Sequence, residues 1–227
     1  MADIADFVTG FERFQQRYFG GDQSVFARLR QGQAPRAMVI SCGDSRADPG
    51  MLMGVGPGEI FVVRNVANLV PPYDHDAQMP GVRADIEFAV KSLQVERIIV
   101  LGHSGCGGIG ALMDGDGAGR YEFIGAWVSI AAEARERVLR ELAGESRAVQ
   151  QRACEQGAIA LSLENLRSFP WIHERVEAGE MTLHGWYFDL EHGELLEYDA
   201  ATGKFVALVA RPNGAAIRVD PVAGRSG

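Results

Sequence analysis

The stretch "RIIVLGHSGCGGIG", residues 97–110, decides the fold class. It begins with a short apolar run, which is typical of a strand buried on both faces, and continues through glycines into a helical pattern. Strands of this type occur in parallel sheets whose two faces are covered by helices. Two side chains that can bind metals, His103 and Cys106, follow the strand directly. The stretch therefore predicts an α/β fold with polar chemistry at one strand end.

Similar apolar runs lie on either side of this stretch. "AMVIS" (37–41) and "EIFVVRN" (59–65) read as buried strands, and a helical pattern at 82–94 precedes the strand at 97–102. The order strand, helix, strand predicts a mostly parallel central sheet flanked by helices. Later strands are predicted from three runs, namely "MTLHGWYFDL" (181–190), "GELLEYDA" (193–200) and "GKFVALV" (203–209).

The remaining long patterns are helical, and they lie at 2–19, 22–31, 121–143 and 149–168. The first has an apolar stripe that needs a surface to cover. No internal repeat or low-complexity linker divides the chain. We expect a single domain, made of an N-terminal helical arm (1–31), an α/β core (32–210) and a C-terminal tail (211–227).

Composition excludes several classes of partner. The 227 residues carry a net charge of −8 and no basic block, so nucleic acid and anionic membrane surfaces are not expected to bind. No apolar run approaches the roughly 18 residues that span a bilayer. The acidic N-terminal stretch lacks the pattern of a secretory signal, and we expect a cytoplasmic protein. The three cysteines do not form an obvious disulfide framework, so metal binding or catalysis is the better hypothesis for those with polar neighbours.

The side chains of Cys42, His103 and Cys106 are expected to lie close together. Cys42 follows one predicted buried strand, while His103 and Cys106 follow another. Adjacent parallel strands end side by side, and open α/β sheets bind ligands at that edge. Thiolate and imidazole are ligands that zinc favours, and a catalytic zinc takes about three of them while keeping one position open. The pattern favours a zinc site over simple packing.

The glycines allow a second interpretation. Gly105, Gly107 and Gly110 match the G-x-G-x-x-G spacing that cradles a dinucleotide at a strand-to-helix turn. That site also needs a second strand and an acidic residue about 20 positions further on. Glu122 lies at a possible distance, but no predicted strand leads to it. Dinucleotide binding is therefore disfavoured.

Together, these motifs resemble the β class of carbonic anhydrases. The resemblance covers nearly the whole chain apart from its extreme ends, and the combination C-x-D-x-R with H-x-x-C at this separation is specific. The matching stretches are "CGDSR" (42–46), "GEIFVVRNVANLVPPYD" (58–74), "GHSGCGGI" (102–109), "SLENLRSFPWI" (162–172) and "LHGWYFDLEHGEL" (183–195).

The resemblance implies reversible hydration of carbon dioxide to bicarbonate and a proton, by attack of zinc-bound hydroxide. One zinc ion per subunit would be held by Cys42, His103 and Cys106. Asp44 and Arg46 would form the catalytic dyad. A bidentate arginine pair would keep the Asp44 carboxylate ionised and turned away from the metal, which reserves the open position.

The resemblance also implies a substrate pocket that a partner subunit helps to build. Gln33, Phe61, Phe88 and Gly107 would line it, partly from across a dimer interface. Plant-like relatives often carry a tyrosine at Phe88, so this wall is expected to lack one hydroxyl. The chain would form a homodimer or a dimer of dimers, with its N-terminal arm (1–31) lying across the partner.

One departure concerns regulation. Some bacterial relatives carry a tryptophan at the place of Val39, in a second bicarbonate pocket that also uses an arginine matching Arg64. Valine cannot supply the indole N–H. We therefore predict an open site near neutral pH, of the plant-like, non-allosteric type, without bicarbonate inhibition of that kind.

Two alternatives to this function stay open at the level of sequence. Relatives with the same zinc motif hydrolyse carbonyl sulfide or carbon disulfide, and a non-enzymatic zinc domain would close the fourth metal position with a protein ligand. His75, in a proline-rich loop, is a candidate proton shuttle because imidazole titrates near neutrality, although a solvated loop histidine is the simpler interpretation. The remaining histidines and the third cysteine are interpreted as structural or surface residues; these are His173, His184, His192 and Cys154.

Overall fold

A computed structural model describes residues 3–20, 25–74, 80–115 and 122–210. Its centre is a six-stranded sheet in the order β2-β1-β3-β4-β5-β6. The first four strands in that order are parallel, and β5 and β6 extend the sheet antiparallel. The strands are β1 (Ala37–Cys42), β2 (Ile60–Asn65), β3 (Arg97–His103), β4 (Thr182–Asp189), β5 (Glu194–Asp199) and β6 (Lys204–Val209). The predicted mostly parallel α/β fold is confirmed.

Helices connect and cover these strands. They are α1 (Ile4–Phe19), α2 (Val25–Leu29), α3 (Pro49–Met53), α4 (Gly81–Glu87), α5 (Gly107–Met113), α6 (Ile124–Val128), α7 (Ala132–Glu141), α8 (Arg147–Arg167) and α9 (Pro170–Glu177). A π-helical turn, Phe88–Ser92, extends α4, and short 3₁₀ turns occupy Val66–Asn68 and Ser129–Ala131. None of the helices in these ranges is both long and apolar enough to cross a membrane.

The main core lies between the sheet and α8. Alternate side chains of β1, such as Met38 and Ile40, point into this core and meet Ile159 and Leu163 of α8. Val39 points to the opposite face, into a smaller apolar cluster. Because β1 is flanked on both sides and covered on both faces, it is almost entirely buried, and its carboxyl end is held firmly in place.

The predicted helices differ from the structure at 121–143 and at α3. The pattern at 121–143 is not one helix, because α6 ends in a 3₁₀ turn before α7 begins. The helix α3 was not predicted, although Asp48 caps it, proline occupies its first turn and Gly54 ends it in the left-handed conformation. It is only five residues long, which is too short to show apolar periodicity. The predicted tail (211–227) lies outside the described residues, so the proposed boundaries of the arm, core and tail stay predictions.

The close contact between α8 and the sheet depends on a glycine in β4. A Cβ atom at Gly185 would lie 2.9 Å from Ile159 Cγ2 and 2.9 Å from Leu163 Cδ1. We expect Gly185→Ala to lower the free energy of unfolding by about 1–3 kcal/mol, because overpacking forces these side chains or the helix to shift. Chemical denaturation measures the loss. Gly144→Ala is the matched control, since a Cβ there meets no atom within 4 Å. Equal stability of the two variants would contradict the expectation.

Candidate metal centre

Two neighbouring strand ends place the predicted metal ligands together. Cys42 is the last residue of β1 and His103 the last of β3, and these strands pair in parallel. Cys106 follows three residues later, directly before α5. The chain passes from β1 to β2 on one side of the sheet, whereas β3 lies on the other. The three side chains therefore lie where open α/β sheets leave a crevice for ligands.

The distances within this cluster suit one small cation. The sulfur atoms of Cys42 and Cys106 are 3.9 Å apart. Two sulfurs bound to a single tetrahedral zinc at about 2.3 Å would lie about 3.8 Å apart. One ligand atom from each of the two cysteines and from His103 lies within 4.8 Å of the others, and all three residues are buried. The donor set and its spacing fit zinc.

The imidazole of His103 is oriented for metal binding. Its Nδ1 lies 2.9 Å from the carbonyl oxygen of Ser104, an arrangement in which the Nδ1–H donates and Nε2 keeps its lone pair. Nε2 is buried and has no hydrogen-bond partner among the described residues. Buried polar atoms without a partner are rare, and this one points into the thiol cluster. A metal ion is the partner that this tautomer accommodates.

The two thiols share their protons unequally. The hydrogen bond from Cys106 lowers the pKa of the Cys42 thiol to about 4, against its burial, while the contact with His103 lowers it further. The same bond and burial raise the pKa of Cys106 above its usual range. The Cys42 thiol therefore loses its proton more readily than the Cys106 thiol, which keeps its own. A divalent cation that takes both sulfurs as thiolates displaces that proton.

Asp44 and Arg46 form a bidentate pair beside this cluster. Arg46 Nε donates to Asp44 Oδ1 over 2.9 Å, and a terminal guanidinium nitrogen donates to Oδ2 over 2.7 Å. The backbone N–H of Arg46 donates to the same carboxylate. These bonds hold the pKa of Asp44 well below its usual range. Asp44 Oδ2 lies 3.8 Å from His103 Nε2, so the carboxylate is ionised and borders the cluster.

Arg64 holds the backbone at Cys42 and Asp44 by hydrogen bonds. Its Nε donates to the carbonyl oxygen of Cys42 over 3.1 Å, and one terminal nitrogen donates to that of Asp44 over 2.7 Å. The other terminal nitrogen pairs with Asp48. At the level of sequence, Arg64 only matches an arginine in a second bicarbonate pocket. Its bonds to these carbonyls have no sequence signal, because the arginine and the carbonyls lie 20 or more residues apart.

Comparison of this chain with known proteins identifies its family. The family model described as carbonic anhydrase matches residues 37–195. A carbonic anhydrase of Pseudomonas aeruginosa is 36% identical over 219 residues, which cover 96% of this chain and 98% of that protein. The chloroplastic β carbonic anhydrase 5 of Arabidopsis thaliana is 38% identical over 204 residues, covering 88% and 67% of the two chains. The chain belongs to the β-carbonic anhydrase family.

Solved structures of β-carbonic anhydrases share the fold. The β-carbonic anhydrase CcaA superposes with a TM-score of 0.83 at 32% identity, over 91% of this chain and 100% of that one. One of two tetrameric β-carbonic anhydrases of the ascomycete Sordaria macrospora superposes with a TM-score of 0.71 at 29% identity, covering 89% and 95%. The predicted family and the prediction of a carbonic anhydrase enzyme are confirmed. The plant-like subclass stays a prediction.

Other residues predicted for the site lie away from the cluster in this chain. Phe61 and Phe88 contact each other, with ring centroids 6.0 Å apart. Phe61 pairs in register with Met38, four residues before the strand level of Cys42, which is about 13 Å along a parallel strand. Gln33 is exposed in the segment before β1.

Gly107 is nearer to the cluster, because it follows Cys106 and begins α5. The dinucleotide interpretation of this glycine-rich turn has no support, since the next described strand after α5 is β4, which begins at Thr182. His75 lies outside the described residues. The proton-shuttle hypothesis therefore stays a prediction.

A second cluster of potential ligands, Asp189, His192 and Glu194, lies at the end of β4. No ligand partner is predicted for His192 from the sequence, but its Nδ1 lies 3.1 Å from Asp189 Oδ2 in the structure. The same carboxylate accepts a hydrogen bond from Arg152 over 2.6 Å, and its other oxygen accepts from the backbone N–H groups of Glu191 and His192. Because the Asp189 lone pairs are already used, we interpret this cluster as a structural ion pair.

Proposed function

We propose that this chain catalyses the reversible hydration of carbon dioxide to bicarbonate and a proton, with zinc held by Cys42, His103 and Cys106. The observation that carries the proposal is the buried Nε2 of His103, which accepts no hydrogen bond within the described part of the chain and faces two thiols 3.9 Å apart. When bound, zinc would lower the pKa of a water molecule toward neutrality and so supply a nucleophile for carbon dioxide.

The side chains around the cluster would control that nucleophile. The Asp44 carboxylate, held ionised by Arg46, presents an acceptor oxygen 3.8 Å from the ligand nitrogen of His103. The carboxylate can accept a hydrogen bond from this nucleophile, and so direct a lone pair of the nucleophile toward the substrate. A terminal nitrogen of Arg46 also donates to the carbonyl oxygen of Gly105 over 3.3 Å. This bond ties the dyad to the loop that carries Cys106.

A small apolar pocket would receive the substrate. We infer that Gln33, Phe61 and Phe88 line it, together with the backbone at Gly107. Since Phe61 and Phe88 lie at the opposite end of the sheet from the cluster of their own subunit, they would serve the site of a partner. Phe88 is 47% exposed in the single chain, and a partner would cover it.

The helical arm supports a homo-oligomer, as a dimer or a dimer of dimers. The apolar stripe of α1 is exposed in the single chain, with Phe7 65% and Phe11 62% accessible. Apolar side chains aligned on one helix face are stabilised when they are removed from water. Relatives of known structure include a tetrameric enzyme. We expect the arm to lie across a second copy of this chain.

Zinc content and substrate turnover, measured on the same purified protein, test the proposed function. We expect about one zinc ion per chain, as a mononuclear catalytic site requires, and fast hydration of carbon dioxide in a stopped-flow assay. Carbonyl sulfide and carbon disulfide are run in parallel, because the zinc motif alone does not separate these linear substrates. The relatives described above are named as carbonic anhydrases. A zinc-loaded protein that hydrolyses the sulfur compounds but not carbon dioxide would contradict the proposal.

The surroundings of Arg64 predict the response to bicarbonate. All three guanidinium nitrogens of Arg64 are engaged by Cys42, Asp44 and Asp48, and Val39 is fully buried in the apolar cluster on that face of the sheet. We expect no second bicarbonate to bind there, so added bicarbonate should inhibit only as a product. Initial rates at neutral pH over a bicarbonate series measure this. A steep loss of activity toward neutral pH, with Asp44 bound to zinc in crystals, would contradict it.

A further inference from the structure

Glu155, in the middle of α8, is a buried carboxylate that the proposed mechanism does not use. Glu155 is only 4% exposed to solvent. Buried carboxylates are costly unless they are well hydrogen-bonded, and both oxygens of this one are engaged. Oε1 accepts from the backbone N–H of Cys106 over 2.9 Å and from Gln151 Nε2 over 3.0 Å. Oε2 accepts from the hydroxyl group of Tyr187 over 2.7 Å.

The bond to Cys106 acts at a backbone position between two glycines. Cys106 lies between Gly105, whose φ is +67°, and Gly107. Neither glycine has a side chain that could anchor the loop, and glycine restricts the backbone least of all residues. The Cys106 N–H is adjacent to the Cα atom that carries the thiol. A fixed N–H direction therefore restrains the backbone position from which the thiol projects.

The carboxylate is itself held from two sides. Gln151 lies one helical turn before it on α8, and Tyr187 reaches it from β4. Burial raises the pKa of Tyr187 above its usual range, so that its hydroxyl group stays protonated and donates. Arg152 covers the Tyr187 ring, with its guanidinium carbon 5.2 Å from the ring centroid. A chain of contacts thus runs from the partly exposed Arg152, between α8 and β4, to one candidate metal ligand.

We propose that Glu155 is a positioning residue for the metal ligand Cys106, with Tyr187 and Gln151 holding its carboxylate in place. The inference rests on the proposed function, because it requires Cys106 to be a ligand. Glu155 would orient a ligand, a role that neither the proposed metal ligands nor the Asp44–Arg46 dyad supplies. Side chains that orient metal ligands typically contribute about 10- to 100-fold to metal affinity or activity.

Metal binding, and not turnover alone, tests this role. Cobalt(II) serves as the probe, because its thiolate charge-transfer bands report the geometry of sulfur ligands. We expect Glu155→Leu to bind cobalt about 10- to 100-fold more weakly than the parent and to alter these bands. Glu155→Gln should keep both properties close to those of the parent, since an amide oxygen can accept the same bond from Cys106.

Ser162→Ala is the matched control. Ser162 is another buried α8 residue whose side chain accepts a bond from a backbone N–H, that of Val70. Its loss should lower the thermal stability and leave the cobalt affinity and spectrum unchanged. A purely structural role of Glu155 predicts the same result for Glu155→Leu, and that outcome would overturn the proposal.

Tyr187→Phe keeps the test decisive if Glu155→Leu fails to fold. It removes one oxygen atom, keeps the ring and leaves Glu155 Oε2 without its donor. We expect weaker cobalt binding and a shifted spectrum, and parental values for both would contradict the proposal. Failure of the proposed function is separable, because a parent chain that binds no cobalt or zinc would remove the metal site itself, before any variant is compared.

Discussion

Replacing Cys42 with serine is expected to remove the metal and with it nearly all activity. The change exchanges one atom, but a serine hydroxyl group does not ionise near neutrality, whereas contacts with Cys106 and His103 favour the Cys42 thiolate. Only two good ligands would remain, and a catalytic zinc needs about three. Without the metal, water keeps its high pKa, so we expect hydration of carbon dioxide to fall by at least about a thousandfold. Zinc analysis and stopped-flow kinetics measure both effects.

The third cysteine provides the control for this substitution. Cys154 is also fully buried, but it lies within α8 and is not part of the cluster. A serine there can donate to the carbonyl oxygen one turn earlier, so Cys154→Ser should fold and keep zinc and activity. If Cys42→Ser retained zinc at the parental level, the assignment of Cys42 as a ligand would be wrong. Loss of zinc in both variants would point to a general effect of serine in the core.

The central sheet was predictable because its strands have strong local signals. The runs that became β1, β2 and β3 are short, apolar and bounded by glycine or proline, and this pattern belongs to parallel strands. The prediction that β2 is buried was wrong, because β2 lies at the edge of the sheet and only Val63 within it is buried. The adjacency of β1 and β3 followed from the polar residues at their ends. The break between α6 and α7 was not predictable from periodicity, because a 3₁₀ turn continues the apolar spacing with only a small shift.

The candidate site was only partly accessible from the sequence. Cysteine and histidine at strand ends indicate a metal site by their residue type. The two-residue spacing of Asp44 and Arg46 suits a local ion pair. Glu155 gave no such signal. It is one of many glutamates on helices, and its partner Cys106 lies 49 residues away. Contacts of this kind depend on how α8 crosses the sheet, which sequence spacing does not encode.

Replacing Arg46 with alanine is expected to separate activity from metal binding. None of the three proposed zinc ligands is altered, so zinc content should stay near that of the parent. The Asp44 carboxylate would lose both side-chain donors and keep only the backbone N–H at position 46. It would then be free to turn Oδ2, now 3.8 Å from His103 Nε2, toward the open metal position. We expect activity to fall by about a hundredfold, as for other groups that orient catalytic charges.

The size of this loss of activity should depend on the two parallel N–H donors of the guanidinium group. Arg46→Lys restores a positive charge but not two parallel donors, so its activity should lie between those of the alanine variant and the parent. Arg36→Ala is the control, because Arg36 forms an ion pair of similar length with Glu96 and its side chain is 71% exposed. Exposed pairs of this kind contribute little, so activity should not change. An alanine variant at position 46 that hydrates carbon dioxide at the parental rate would show that Asp44 needs no restraint. The dyad would then be an ordinary turn ion pair.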